Sequence, residues 1–389
     1  MAQGMIYTFG DTVTVKRTVS NIIHNIDPQD IMCQAYFGVA NQGKFALHNL
    51  PNHKYEWLID TSRVRTDAIN DGTNISDSDT DIVVDDASKF KPYDVVEIGT
   101  EYILVTTVDT TTNTLGGCSR GFAGTTAAAH NDNAVVTYKF SARLEGQDNS
   151  NYPYTVPTSP YNYSQIMHAS INVSNSEREA TTRYGMTDKY KQELMKILGG
   201  KGGGGGRYGR AGDLPLDLEG TFFGDQGRVQ RTATVPGVMG GYKYFVTTNA
   251  LAAASARLDL DMLLERVGLC WDRGGKPTTI ICNRFQKKLI NSWFEDSIRT
   301  ERSESTGGVV INRIETDFGP MDVMLHRHCP ADEVYIVDRD TVGWVTLRDW
   351  EVHPLGITGD GKTDEVVGEF GFVVTTEFAN AVITGLATS

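Results

Sequence analysis

From Ile75 to Tyr138 the chain reads as a succession of short β-branched runs broken by Gly, Asp and Asn, and helical spacing of apolar residues appears only outside it. Ile82-Val83-Val84-Asp85, Asp94-Val95-Val96-Glu97-Ile98-Gly99, Tyr102-Ile103-Leu104-Val105-Thr106-Thr107-Val108 and Ala134-Val135-Val136-Thr137-Tyr138 are the runs, and Thr110 to Asn113 is a polar turn. Side chains branched at Cβ fit a pleated surface, and the polar residues between them stop each strand, so the stretch predicts a small antiparallel module. A β module flanked by helical segments is an insertion, and it places the chain in the α+β class rather than among doubly wound parallel sheets.

Helical signals surround it. Ser174 to Leu198 predicts the longest helix. Ser174 with Glu177, and Ser176 with Glu179, have capping-box spacing, and Met186, Tyr190, Leu194 and Leu198 share one face. Gly185 weakens that helix by about 1 kcal/mol relative to alanine, and 25 residues at the helical rise give a rod of roughly 37 Å. Leu251 to Val267 and Arg284 to Ile298 read as amphipathic helices, the second with Phe285, Leu289 and Trp293 on one row and Ile290, Phe294 and Ile298 on another. Thr278–Cys282, Val309–Glu315, Pro320–His326, Glu333–Val337 and Phe370–Thr376 read as strands. Near the start, Val13, Val15 and Val19 lie on an extended run before Ile22-Ile23 and Asn25-Ile26-Asp27-Pro28, a pattern that suits either an arm along a neighbouring subunit or a local edge strand.

With 40% hydrophobic and 22% charged residues over 389 positions, the composition is that of a folded chain with room for two or three domains. The formal charge of −13 carries no dense basic stripe, so gripping nucleic acid is not its main work, although enclosing it is compatible with acidity. No run approaches the roughly 18 to 20 apolar residues that span a bilayer, and Met1-Ala2-Gln3-Gly4 lacks the basic and apolar regions of a secretory signal, so neither membrane insertion nor export is expected. Five scattered cysteines (Cys33, Cys118, Cys270, Cys282, Cys329) are expected as reduced thiols filling space in a cytoplasmic assembly environment.

Candidate sites are few. His326-Arg327-His328-Cys329 is the most suggestive: on a strand the two histidines share a face, yet zinc needs three or four converging ligands and no companion pair stands at metal spacing. Asp79, Asp81, Asp85 and Asp86 form an acidic patch that matches no twelve-residue calcium loop. Gly199 to Gly212 holds nine glycines with Lys201, Arg207 and Arg210, but a phosphate loop needs its Lys after the glycines and before Ser or Thr, whereas Lys201 precedes them. Asn162-Tyr163-Ser164 and Asn172-Val173-Ser174 fit the glycosylation pattern, which has no meaning without export. No nucleophile elbow or His-Asp signature singles out a catalytic pair. The expectation is therefore no catalytic, cofactor or metal residue, and no enzyme.

The ordered segments resemble the major capsid proteins of tailed phages in the SU10-like family, which carry the HK97-type capsid fold. The resemblance rests on Asn25-Ile26-Asp27-Pro28-Gln29-Asp30, Tyr55-Glu56-Trp57-Leu58-Ile59-Asp60, and Ser119-Arg120-Gly121-Phe122-Ala123-Gly124-Thr125-Thr126-Ala127-Ala128-Ala129-His130. Further along it rests on Tyr163-Ser164-Gln165-Ile166, Tyr184-Gly185-Met186-Thr187-Asp188, Cys282 to Ile290, and Thr316-Asp317-Phe318-Gly319. The glycine-rich stretch after Leu198 departs from the charged helical continuation usual in that family.

That resemblance implies an N-terminal arm over 1–45 and an E-loop region over 46–140 with a β-rich insertion at about 73–138. It further implies a P domain over 141–219 with spine helix 174–198 and Gly-rich loop 199–212, an A domain over 220–340, and a return to the P domain over 341–389. It also implies hexameric and pentameric capsomers of one chain in a virion shell around double-stranded DNA, bound weakly or without specificity. Scaffolding, decoration and portal proteins are further expected partners. The competing expectation is a tail, baseplate or head-decoration protein.

Overall fold

The computed structural model describes residues 31–37, 50–60, 63–146, 155–180, 188–199, 212–293, 313–356 and 359–388. The chain divides into two compact units, a body of Met1–Trp57 with Tyr161–Ser389 and an inserted unit of Leu58–Pro160. The body opens with helix α1 (Met32–Phe37) and strand β1 (Lys54–Glu56). The inserted unit carries β2 (Thr66–Ala68), β3 (Ile82–Val83), β4 (Asp94–Ile98), β5 (Glu101–Leu104), β6 (Thr107–Asp109), β7 (Thr114–Gly116) and β8 (Val135–Ser141). The body resumes with β9 (Tyr161–Tyr163), β10 (Gln165–Ser174), α2 (Asn175–Glu179), α3 (Lys189–Leu198), α4 (Asp213–Phe223), α5 (Tyr242–Phe245) and β11 (Ala250–Ala252). It continues through α6 (Leu260–Asp272), β12 (Thr279–Cys282), α7 (Arg284–Trp293), β13 (Arg313–Thr316) and β14 (Gly319–Leu325) to β15 (Val334–Val337), β16 (Val342–Pro354), β17 (Gly361–Val374) and β18 (Ala381–Thr384). No helix among the described residues is long and apolar enough to cross a membrane.

The inserted unit is antiparallel throughout its two sheets, ordered β2-β8-β4-β5 and β3-β7-β6. Ile69, Ile75, Ile82, Val96, Ile98, Ile103, Leu115 and Val136 form its own core, each at most 1% exposed. The expected single strand Tyr102–Val108 is instead two. β5 pairs with β4 in one sheet and β6 with β7 in the other, and the chain turns the corner where Val105 N–H donates to Asp94 O and Thr106 N–H to Gly116 O. A run of β-branched residues carries no mark of a sheet change, so the corner was not legible.

The body has two cores. One lies against the antiparallel sheet β10-β17-β16 and holds Phe37, Leu218, Phe222, Tyr242, Tyr335, Trp344 and Phe372. The other lies against the six-stranded mixed sheet β11-β18-β15-β12-β14-β13 and holds Leu263, Val267, Ile280, Leu289, Ile290 and Ile336, with α6 and α7 packed on it. The row Phe285, Leu289 and Trp293 faces this second core as its spacing requires. Residues 294–298, the end of that expected helix, lie outside the described residues.

Two helix readings are corrected. Residues 174 to 198 are not one helix. Ser174 ends β10 and caps α2, accepting from Glu177 N–H at 3.2 Å, as the capping box requires, but Ala180 is extended (φ −68°, ψ 99°) and closes α2 after five residues. A second start follows at Asp188, whose carboxylate accepts from Lys191 N–H at 3.1 Å, and Tyr190, Leu194, Ile197 and Leu198 of α3 then pack on the first core. Ser174 is held in the ten-residue pairing of β10 with β17, so the helical run starts only at Asn175. Met186 and Gly185 lie outside the described residues.

The helix expected from Leu251 begins only at Leu260, capped by Asp259. Ala250–Ala252 is instead a strand parallel to β18, and Ala254 and Ser255 have positive φ (48° and 66°) where Ser255 N–H reaches Gly385 O at 2.6 Å. Alanine's helix preference yields here to sheet pairing. The last strand, β18, lies inside the six-stranded sheet between β11 and β15. Of the expected arm, only Ile31–Phe37 falls among the described residues, as does only Gly199 and Gly212 of the glycine-rich loop.

Candidate functional site

The segment Ser119–His130 explains itself in the inserted unit. Its purpose is one buried carboxylate, Glu101 on β5, whose side chain is 0% exposed. Arg120 grips both oxygens, Nε to Oε1 and Nη2 to Oε2, each at 2.9 Å, and spends its remaining donors on the carbonyls of Ser76, Asp79 and Ala128. Gly121 is left-handed (φ 60°) and donates its N–H to Glu101 at 2.9 Å; Ala128 N–H adds a bond at 3.1 Å and His130 Nε2 one at 2.8 Å. A side chain at Gly121 would strike Thr125 O at 2.9 Å, so only glycine fits.

Burial alone would raise the Glu101 pKa, but Arg120, Gly121 N–H, His130 and Ala128 N–H outweigh it and hold it at about 2, against 4.5 for a free carboxyl. This is a structural keystone: it ties the loop after β7 to β5 and offers no free atom for chemistry.

The histidine cluster is also resolved. Strand β14 stops at Leu325, so His326 and His328 do not share a strand face: His326 is fully buried and His328 is exposed. Companions that the linear spacing could not reveal come from far away. Glu219 on α4, also 0% exposed, accepts from His326 Nε2 at 2.7 Å, from Cys33 N–H at 2.6 Å and from Gln34 N–H at 3.0 Å. Cys33, Glu219 and His326 thus bring three metal-competent atoms within 4.8 Å of one another.

The tautomer argues against a metal there. His328 N–H donates to His326 Nδ1 at 3.1 Å, so Nδ1 is the lone-pair nitrogen and Nε2 carries the proton given to Glu219. A metal on Nε2 would move the proton to Nδ1 and set two donors against each other. The cluster is built for hydrogen bonding.

The acidic patch dissolves into turn caps. Asp79 accepts from Ser76 N–H at 2.6 Å, Asp81 from Gly117 N–H at 3.2 Å and Asp86 from Ser88 N–H at 3.0 Å, and the bonds from Ser76 and Ser88 draw the Asp79 and Asp86 pKa values down. Asn162, one of the two glycosylation matches, is fully buried and holds Phe372 O at 2.8 Å. All five cysteines are buried and unpaired, and burial pushes the thiols of Cys118 and Cys282 up to about 12. In the groove between β10 and α3, Lys189 pairs with Glu193 at 2.9 Å, and bonds from Lys196 and Lys189 hold Glu193 below the usual carboxylate range, the reverse of what a neutral-pH base needs. Lys201, Arg207 and Arg210 lie outside the described residues.

The chemistry that remains is on the surface. On the body Trp271, 53% exposed at the end of α6, meets Phe318 of the β13–β14 turn at 5.9 Å between ring centres. On the inserted unit Leu58 (78% exposed), Val156 (73%), Val135 (60%) and Leu144 (57%) stand in solvent. The sequence reading missed them because it closed the α6 helix at Val267 and treated Phe318 only as part of a motif.

The fold is shared with subunits of two capsids. The capsid asymmetric unit of cyanophage A-1(L) is similar at a TM-score of 0.56 with 9% identity, over 99% of this chain and 100% of that one. The capsid of an empty GTA particle computed with C5 symmetry is similar at 0.55 with 9% identity, over 100% of each chain. At that identity the likeness is one of fold. The chain belongs to the SU10 major capsid protein family, which matches residues 5–387. No curated protein matches it. It is a structural protein of the virion capsid and not an enzyme, and the tail, baseplate or decoration reading falls away.

Proposed function

We propose that this chain builds an icosahedral or elongated HK97-type shell from hexameric and pentameric capsomers, with double-stranded DNA enclosed and not specifically bound. The observation that carries the proposal is the family match across 5–387, joined to a fold shared end to end with two capsid subunits. In this reading residues 1–45 are the N-terminal arm and 46–140 the E-loop region, whose β-rich insertion lies in the unit Leu58–Pro160. The long antiparallel sheet β10-β17-β16 with α3 forms the P domain, and the six-stranded sheet with α6 and α7 forms the A domain. The net charge of −13 suits a container whose contents are held by enclosure. Assembly draws on apolar area removed from water at about 25 cal/mol per Å², less the cost of association. Scaffolding, decoration and portal proteins are the partners such a shell requires.

Mild dissociation of assembled particles followed by native mass spectrometry tests the capsomer reading. Species of five and six copies are expected; rings or trimers of any other single order would contradict it.

A further inference from the structure

Helix α1 enters the body as a plug. Ile31, Cys33 and Phe37 are buried, Phe37 stacks on Phe222 at 5.7 Å, Thr279 Oγ1 donates to Tyr36 Oη at 2.9 Å, and Arg339 Nε reaches Tyr36 O at 3.2 Å with its guanidinium 4.4 Å over the ring. Its first turn ends on Glu219, which takes the N–H groups of Cys33 and Gln34, while Gln34 Nε2 reaches Pro215 O.

We infer that α1 is a latch, able to open from the body as a unit while the rest stays folded, with the Glu219 carboxylate as its bolt. The bonding of Glu219 makes such opening possible. When α1 leaves, the carboxylate loses two donors and keeps the third, His326 Nε2–H, which is itself fixed by His328 N–H. The socket therefore retains a partnered anion and stands ready for re-entry, instead of stranding a bare buried charge, which would be prohibitive. A six-residue helix has little stability of its own, so its docking and its folding are one event. The device sets whether Ile31–Phe37 is docked on the body or released from it.

Cys33 reports on the latch directly. It is 0% exposed, as are Cys270 and Cys282 of the other core, so a thiol reagent reaches each only through opening. Unassembled full-length protein is treated with a maleimide in native buffer, and labelling of each cysteine is followed by peptide mass spectrometry. Cys33 is expected to react at least about tenfold faster than Cys270 and Cys282, as local opening precedes global unfolding.

Glu219→Gln places an amide NH₂ among three donors, and it is expected to speed Cys33 labelling by about ten- to a hundredfold while leaving Cys270 and Cys282 unchanged. Equal rates for the three thiols in the wild-type protein would show that α1 opens only with the whole body. Equal acceleration of all three in the variant would show that Glu219 serves global stability alone. Either result overturns the latch.

Discussion

Replacing Arg120 with alanine is expected to destabilise the inserted unit by about 3–5 kcal/mol, because it strands the Glu101 carboxylate in a buried place. Both oxygens of Glu101 lose their Arg120 bond, and the carbonyls of Ser76, Asp79 and Ala128 lose donors at the same time. The same carboxylate makes the unit acid-sensitive, and the sign follows from its depressed pKa. A carboxyl at about 2 when folded and 4.5 when free contributes its stability above about pH 4.5 and loses it as pH falls through about 2. The span is worth about 3 kcal/mol. Urea titrations of the wild-type unit between pH 7 and 2 measure it: stability that falls across this window, and falls less in Arg120→Ala, is the expected result. A flat profile would show that Glu101 is not held as its bonds require.

Phe222→Ala is expected to destabilise the body by about 3–5 kcal/mol, the range for removing a buried aromatic ring. Phe222 is 0% exposed, with the rings of Phe37, Phe223, Tyr242, Tyr335 and Phe372 all 5.0 to 5.7 Å away. The protein around such a hub cannot collapse onto the vacated space without displacing several other rings. Because the inserted unit has its own core, its melting transition is expected to stay in place while that of the body drops, readable by calorimetry on unassembled protein. A joint shift of both transitions would show that the two cores unfold as one.

Much of the fold was legible because it rests on local rules. Strand Asp94–Ile98 is a β-branched run bounded by turn residues; helix α7 carries its apolar row; Ser174 and Glu177 make a real cap. Failures came where a distant partner decides. Ala250–Ala252 has no strand signal of its own and becomes one by lying beside β18, more than a hundred residues later. The break at Ala180, extended after five helical residues, leaves no trace in apolar periodicity.

The candidate sites divide in the same way. Arg120, Gly121 and His130 stood in a motif whose order was visible, but its target, Glu101, lies across a strand and carries no local mark. His326 was singled out for the right chemistry and the wrong company: His328 turns outward, and Cys33 and Glu219 arrive from other elements. Surface exposure was the least legible, since an exposed Trp271 is spelled no differently from a buried one.

The central claim is that this chain is itself the material of the shell. Electron microscopy of the purified full-length protein, imaged in low and moderate salt and again with a co-expressed phage scaffolding protein, tests it most directly. Closed shells, tubes or capsomer rings are the expected result in at least one of these conditions. Uniform monomers in every one of them would contradict it.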